Sequence, residues 1–251
     1  MIPEPKTAHQ TWRVTAINID LVFVDGSTDE IEIWCRALAV LRRLGVAEPH
    51  YSVDGRRPIS ADRVAKALAS KDIYRVFGER VRVHHAPAPG GADCFTTEFL
   101  QSLRAEEMDV WVGELETAGR LVYARAYDGE YDYWQNVTFT DTFERNNRST
   151  DSMKLVWDDD FQVRRVDVSA NPGRRAPGLG LMEAIGHIMW LPAEFWDATG
   201  ASRTDLCAKF TCEQVGALTK VTLSDRPFDD ENPATEAARA LLFPRGPIAT
   251  R

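Results

Sequence analysis

The chain has 251 residues, 44% hydrophobic and 27% charged, a balance that excludes disorder and allows a sizeable core. No run approaches eighteen consecutive apolar residues, which excludes a helical membrane span. The net charge of −8 is gathered in one block: residues 106–160 carry 14 acids against five bases, a net of −9, while the rest stands at +1. Such a field repels nucleic acid and steers basic partners toward the chain.

Residues 12–24, WRVTAINIDLVFV, predict a strand with an irregularity near Asn18. Asp25-Gly26 turns the chain, and Ser27-x-x-Glu30 reads as a capping box. The helix it opens carries Ile31, Trp34, Leu38, Leu41 and Leu44 at three- and four-residue spacing and stops at Gly45. Ser60 starts a shorter helix with Val64 and Leu68 on one face. YRVFGERVRVHH then gives one or two strands, Val81 and Val83 alternating with Arg80 and Arg82. APAPGGA, residues 86–92, is a loop. The chain is therefore one domain over 1–251, with a sub-division available at that loop: a βα part (1–85) and a β-rich part (93–251).

Between Asp109 and Ser169, DVWVGEL, RLVYARAY, NVTFTDTF, MKLVW and FQVRRVDVS are short, β-branched or aromatic, and separated by turn residues. They predict an antiparallel meander. Asp158–Asp160 fall in its last hairpin loop, with a bulge near Arg164 or Arg165, where the alternation of Phe161 and Val163 slips to that of Val166 and Val168. Leu181, Met182, Ile185, Ile188 and Met189 predict a helix interrupted by Pro192. Two strands follow within 205–223, and Asn232-Pro233 caps a last helix, ATEAARALLF. With no regular βαβ rhythm, the fold class is α+β: a central antiparallel β-meander flanked by several helices.

Two stretches carry candidate function. In LVWDDDF, three adjacent acids could hold a cation, face a partner, or keep a hairpin in water. Neighbouring strand residues point to opposite faces, so at most two of the three converge on one ion, and no D-x-D-x-D-G pattern supplies the rest. In YDGEYDYW, read as a strand, Glu130 and Asp132 share one face and Tyr131 and Tyr133 the other. That pattern suits a half-buried strand or a recognition surface with aromatic anchors. A pair of glycosidase-type carboxylates is the third reading. The partner-binding candidates are thus Tyr127, Asp128, Glu130, Tyr131, Asp132, Tyr133, Trp134, Asp158, Asp159 and Asp160.

Catalytic signatures are absent from the sequence. The serines lack a G-x-S-x-G elbow, the histidines form no H-x-x-x-H, and PGLGLMEAIG lacks the lysine of a phosphate loop. Cys35, Cys94, Cys207 and Cys212 form no C-x-x-C pair, so neither zinc nor any other cofactor is expected, and the thiols read as reduced. MIPEPKTAHQTW lacks the basic-then-apolar layout of a secretory signal, which together with reduced thiols points to the cytoplasm.

The order of a hydrophobic N-terminal strand, a helix ending ALAVLRRLG, a GRRPIS turn with a short helix, and an apolar helix leading into Trp190 and FWDATGA resembles a known family. It is similar to the bacterial polymorphic-toxin immunity proteins encoded beside restriction-endonuclease-fold nuclease toxins, including those of type VI secretion. The resemblance implies a non-enzymatic cytoplasmic α+β protein that binds and silences a cognate toxin, with no catalytic residues to carry over. The alternatives are a hydrolase whose acids converge only in three dimensions, or an adaptor in a phage or secretion assembly.

Overall fold

The structure, a computed structural model, describes residues 16–69, 71–88, 91–177, 182–229 and 234–245. Its first third comprises β1 (Ile17–Val24), α1 (Glu30–Arg43), β2 (His50–Val53), β3 (Ile59–Ser60), α2 (Ala61–Leu68), β4 (Tyr74–Phe77), β5 (Val81–Ala88) and β6 (Ala92–Phe99). The centre holds α3 (Ala105–Leu115), β7 (Leu121–Asp128), α4 (Gly129–Asn136), α5 (Thr140–Arg145), β8 (Leu155–Asp158) and β9 (Val163–Val166). The last third runs through β10 (Ala176–Pro177), β11 (Met182–Glu183), β12 (Ile188–Leu191), α6 (Ala193–Thr199), α7 (Arg203–Lys209), β13 (Thr211–Val215), β14 (Leu218–Thr222) and α8 (Ala234–Leu242).

Ten strands form one antiparallel sheet in the order β13-β14-β12-β7-β1-β6-β5-β4-β2-β3, flanked by helices, as the α+β reading expects. Period-two alternation sends β1, β6, β7 and β12 side chains to two faces. Ile19, Leu21, Phe23, Phe95, Phe99, Ala124 and Trp190 pack beneath α1, α2 and α3. Val22, Tyr123, Met189, Leu191 and Val221 pack on the other face, against Phe195, Leu206, Ala238 and Leu242. β5 and β6 pair from Val81↔Phe99 to Ala88↔Ala92, so most of the expected 86–92 loop is strand: Ala86, Pro87 and Ala88 end β5, Ala92 starts β6, and the two strands are paired to each other.

α1 forms as its spacing predicts, burying Trp34, Leu38 and Leu41, and Gly45 leaves it at φ +71°. Its cap lies elsewhere, however: the Asp29 carboxylate accepts from the backbone N–H of Ile31 and Glu32. Ser27 Oγ instead accepts from the N–H of Arg120, which ties the turn to the start of β7.

Several segments differ from the sequence expectation. DVWVGEL lies in α3, where Met108, Trp111, Val112 and Leu115 recur at helical spacing and all are buried. YDGEYDYW leaves β7 and becomes α4, because the Asp128 carboxylate accepts from the N–H of Tyr131 and nucleates a turn. The second half of NVTFTDTF, from Thr140, opens α5. The apolar stretch before Pro192 is the strand β12, between β7 and β14, and buried on both faces. A doubly buried strand has no alternation to display, so its apolar run mimics a helix stripe. Gly186 permits the approach to β7, since a Cβ there would lie 2.2 Å from the carbonyl oxygen of Ala126.

The irregularity in β1 falls between Val22 and Phe23, against β7, not at Asn18. β8 and β9 keep a regular register through Arg164 and Arg165, with no bulge. Cys207 and Cys212, expected as thiols, form a disulfide with Cα atoms 5.4 Å apart, joining α7 to β13. Expectations for residues 12–15, Leu181 and the Asn232-Pro233 cap lie outside the described residues. No described helix is long and apolar enough to cross a membrane.

Candidate protein-docking surface

Once α4 forms, helical geometry divides its aromatic and acidic residues between core and surface. Tyr131 is buried and meets Phe228 edge-on, with ring centroids 6.3 Å apart, and Tyr127 is buried in β7. Asp132 is also buried. Those three candidates therefore cannot meet a partner, and Asp128 is engaged in capping. Glu130 and Tyr133 remain exposed, and Trp134 is half-buried. Trp134 packs on Phe143, with the Arg148 guanidinium 4.0 Å above its ring.

Asp132 faces inward because a cation waits for it. Arg125, fully buried on β7, pairs with Asp20 at 2.7 Å and with Asp132 at 2.8 Å, and Arg175 closes on the other Asp132 oxygen. Tyr127 and Thr96 donate to the second Asp20 oxygen at 3.0 and 2.7 Å. Burial opposes ionisation of Asp20, but Arg125, Arg175 and the Thr96 hydroxyl outweigh it and hold the carboxyl below its usual range. The sequence shows only an alternating strand residue at Arg125; its partners lie 105 positions upstream and seven downstream.

Other acids of the block also meet cations brought in from outside it. Asp109 accepts from Lys220 and from Trp190 Nε1, each at 2.8 Å, Glu114 meets Arg43, and Glu107 meets Arg104. A linear count of −9 therefore overstates the field that a partner would sense.

The DDD stretch separates by role. Asp158 ends β8, accepts from the Phe161 N–H at 3.0 Å and pairs with Arg165 at 3.0 Å, so it builds the hairpin turn. Asp159 and Asp160 are exposed at the tip. Among the described residues no three His, Cys, Asp or Glu side chains gather as metal ligands.

The hairpin itself is the unusual surface. β8 and β9 form a separate two-stranded sheet with register Val156↔Arg165 and Asp158↔Val163. On that face Val156, Val163, Phe139 and Phe161 are all exposed, Phe161 at 62%. The Arg165 guanidinium lies 4.2 Å from the Phe139 ring and 4.3 Å from the Phe161 ring. Trp157, on the opposite face, is 56% exposed. Exposed apolar side chains gathered beside charged ones make this face the candidate docking surface. None of these apolar residues is among the contact candidates drawn from the sequence, because exposure depends on what fails to cover them.

A second feature is an open cleft of about 450 Å³ at one end of the main sheet, lined by Ser102, Asp128, His187, Thr222, Ser224 and Asp225, among others. Burial pushes the His187 imidazole down to about 4.

The architecture is thus that of an α+β protein with a ten-stranded antiparallel sheet and a projecting apolar hairpin. No known family matches the sequence, and no curated protein matches it. Among solved structures, the Pseudomonas aeruginosa T6SS protein PA0821 is similar in fold, with a TM-score of 0.51 and 12% identity over 93% of this chain and 74% of that one.

Proposed function

We propose that the protein is a non-enzymatic binding partner in type VI secretion that captures and neutralises a cognate toxin. The observation that carries this reading is the exposed face of Val156, Val163, Phe139 and Phe161, rimmed by Asp159 and Asp160. Aromatic anchors inside a charged rim are the anatomy of a protein interface. Acids at the rim suit a basic surface such as a nuclease cleft, which they would steer and then cover. The fold likeness to a protein titled as T6SS supports the secretion setting. The Cys207–Cys212 disulfide favours an oxidising compartment over the reducing cytoplasm that unpaired thiols imply.

The test is co-expression with the toxin encoded beside the gene, read as cell survival and co-purification. Replacing Phe139 and Phe161 by Ser abolishes both if the face is the interface. Full protection by the double variant, with parental affinity, would sink the proposal.

A second reading, a hydrolase, draws on the cleft that brings Asp128, Asp225 and His187 together. An imidazole with its pKa near 4 is a poor general base at neutral pH, which places this reading second.

A further inference from the structure

We propose that the protein self-associates through the outer edge of β8, which pairs antiparallel with β8 of a second copy to make a continuous four-stranded sheet. The hydrogen-bond pattern defines that edge. The Asp167 N–H donates to the Lys154 carbonyl at 2.8 Å, and the register couples Val156 to Arg165 and Leu155 to Val166. In an antiparallel pair, bonded and non-bonded couples alternate. Lys154, Val156 and Asp158 therefore spend their backbone groups on β9, while Leu155 and Trp157 turn theirs outward. The other side of the hairpin is already engaged: the Val166 N–H donates to the Thr138 carbonyl at 2.7 Å, and Arg165 bridges to Phe139. On the β8 side no described strand pairs. An exposed apolar edge of this kind is a template for another strand.

The sequence of the edge selects a second copy as the occupant. Reading Lys154-Leu155-Val156-Trp157-Asp158, a base precedes three apolar residues and an acid follows them, with two more acids at the tip. A two-fold axis through Val156 sets Leu155 opposite Trp157 of the other copy, so the outward N–H and C=O groups meet in two reciprocal pairs. The same axis sets each Lys154 opposite Asp158 of the other copy, with Asp160 on the diagonal. Lys154 contacts Asp167, yet its side chain is 76% exposed and free to reach across the interface. A parallel arrangement would instead align Lys154 with Lys154 and Asp158 with Asp158, which costs stability. The self-complementary arrangement is isologous, as closed dimers require. It uses the edge of the hairpin and leaves the apolar face of Phe139 and Phe161 open, now doubled, so the inference goes beyond the toxin reading and does not depend on it.

Light scattering on the isolated full chain tests the proposal directly. The parent is expected to run at twice the 28.2 kDa chain mass. Leu155→Pro removes one outward N–H that bonds no other described residue, and is expected to give a monomer with an unchanged circular-dichroism spectrum. In a Cys35→Ser background, Val156→Cys is expected to cross-link two copies on mild oxidation. The two-fold puts position 156 in a non-bonded pair with Cα atoms about 4.5 Å apart, within disulfide range. Arg164→Cys, on the strand away from the edge, is expected to stay uncross-linked. A parent that is monomeric at its highest soluble concentration overturns the proposal. So does a dimer in which Val156→Cys fails to cross-link.

Discussion

Arg125 shows how one residue organises the interior. Its guanidinium spans Asp20 and Asp132 at zero exposure, and both carboxylates are buried with it. Replacing Arg125 by Met leaves the buried Asp20 without its ion pair and Asp132 with Arg175 alone, so the expected loss is about 3–5 kcal/mol in chemical denaturation. His187 provides a second residue-scale prediction. Burial depresses its pKa from 6.5 to about 4, so the unfolded chain binds the proton more readily than the folded one. Stability from this residue is complete above about pH 6.5 and is lost as pH falls toward about 4, by on the order of 3 kcal/mol. Thermal melts of His187→Gln across that window are expected to show a correspondingly flatter pH dependence than the parent.

At the scale of elements, the hairpin and the α7–β13 junction separate binding from stability. Phe161 and Trp157 are largely exposed, so Ser at either position is expected to change stability by less than about 0.5 kcal/mol. Loss of the proposed partner's binding by the Phe161 variant, with an unchanged denaturation midpoint, would assign that residue to the interface. Cys207 and Cys212 close a loop of five residues' separation, for which chain entropy gives about 2 kcal/mol. The Cys207→Ser, Cys212→Ser double variant is expected to melt earlier by that amount. Maleimide tagging of the parent drawn from its native cells is expected to modify these two sulfurs only after reduction.

At the scale of the whole molecule, β7, β1 and β6 lie in the middle of the ten-stranded sheet, between two packed faces. Hydrogen exchange is therefore expected to be slowest in β1 and β7 and fastest in β8–β9, which share no sheet with them. Equal protection in the hairpin and the central strands of a monomeric sample would show that the hairpin is not an independent appendage.

How much of this was legible follows from what each element needs. α1 could be read because a single amphipathic face, a loop before it and Gly45 after it are all local signals. β12 and α3 could not be assigned from residue type, since Ile, Val and Trp serve a doubly buried strand and a core-facing helix alike. Of the ten candidate contact residues, Glu130, Tyr133, Asp159 and Asp160 remain exposed, Asp128, Trp134 and Asp158 are half-buried, and Tyr127, Tyr131 and Asp132 are interior. Their fate turned on Asp128 capping α4 and on Arg125 drawing Asp132 inward.

The sequence by itself determined the α+β class, the MKLVW–FQVRRV hairpin and the position of three acids at its turn, because alternation and turn chemistry act over a few residues. Only the tertiary structure decided which acids are neutralised, which aromatics stay in water, and that Cys207 meets Cys212. Charge pairing and exposure are set by residues up to 111 positions apart. A linear count cannot register a partner that folding alone brings within reach.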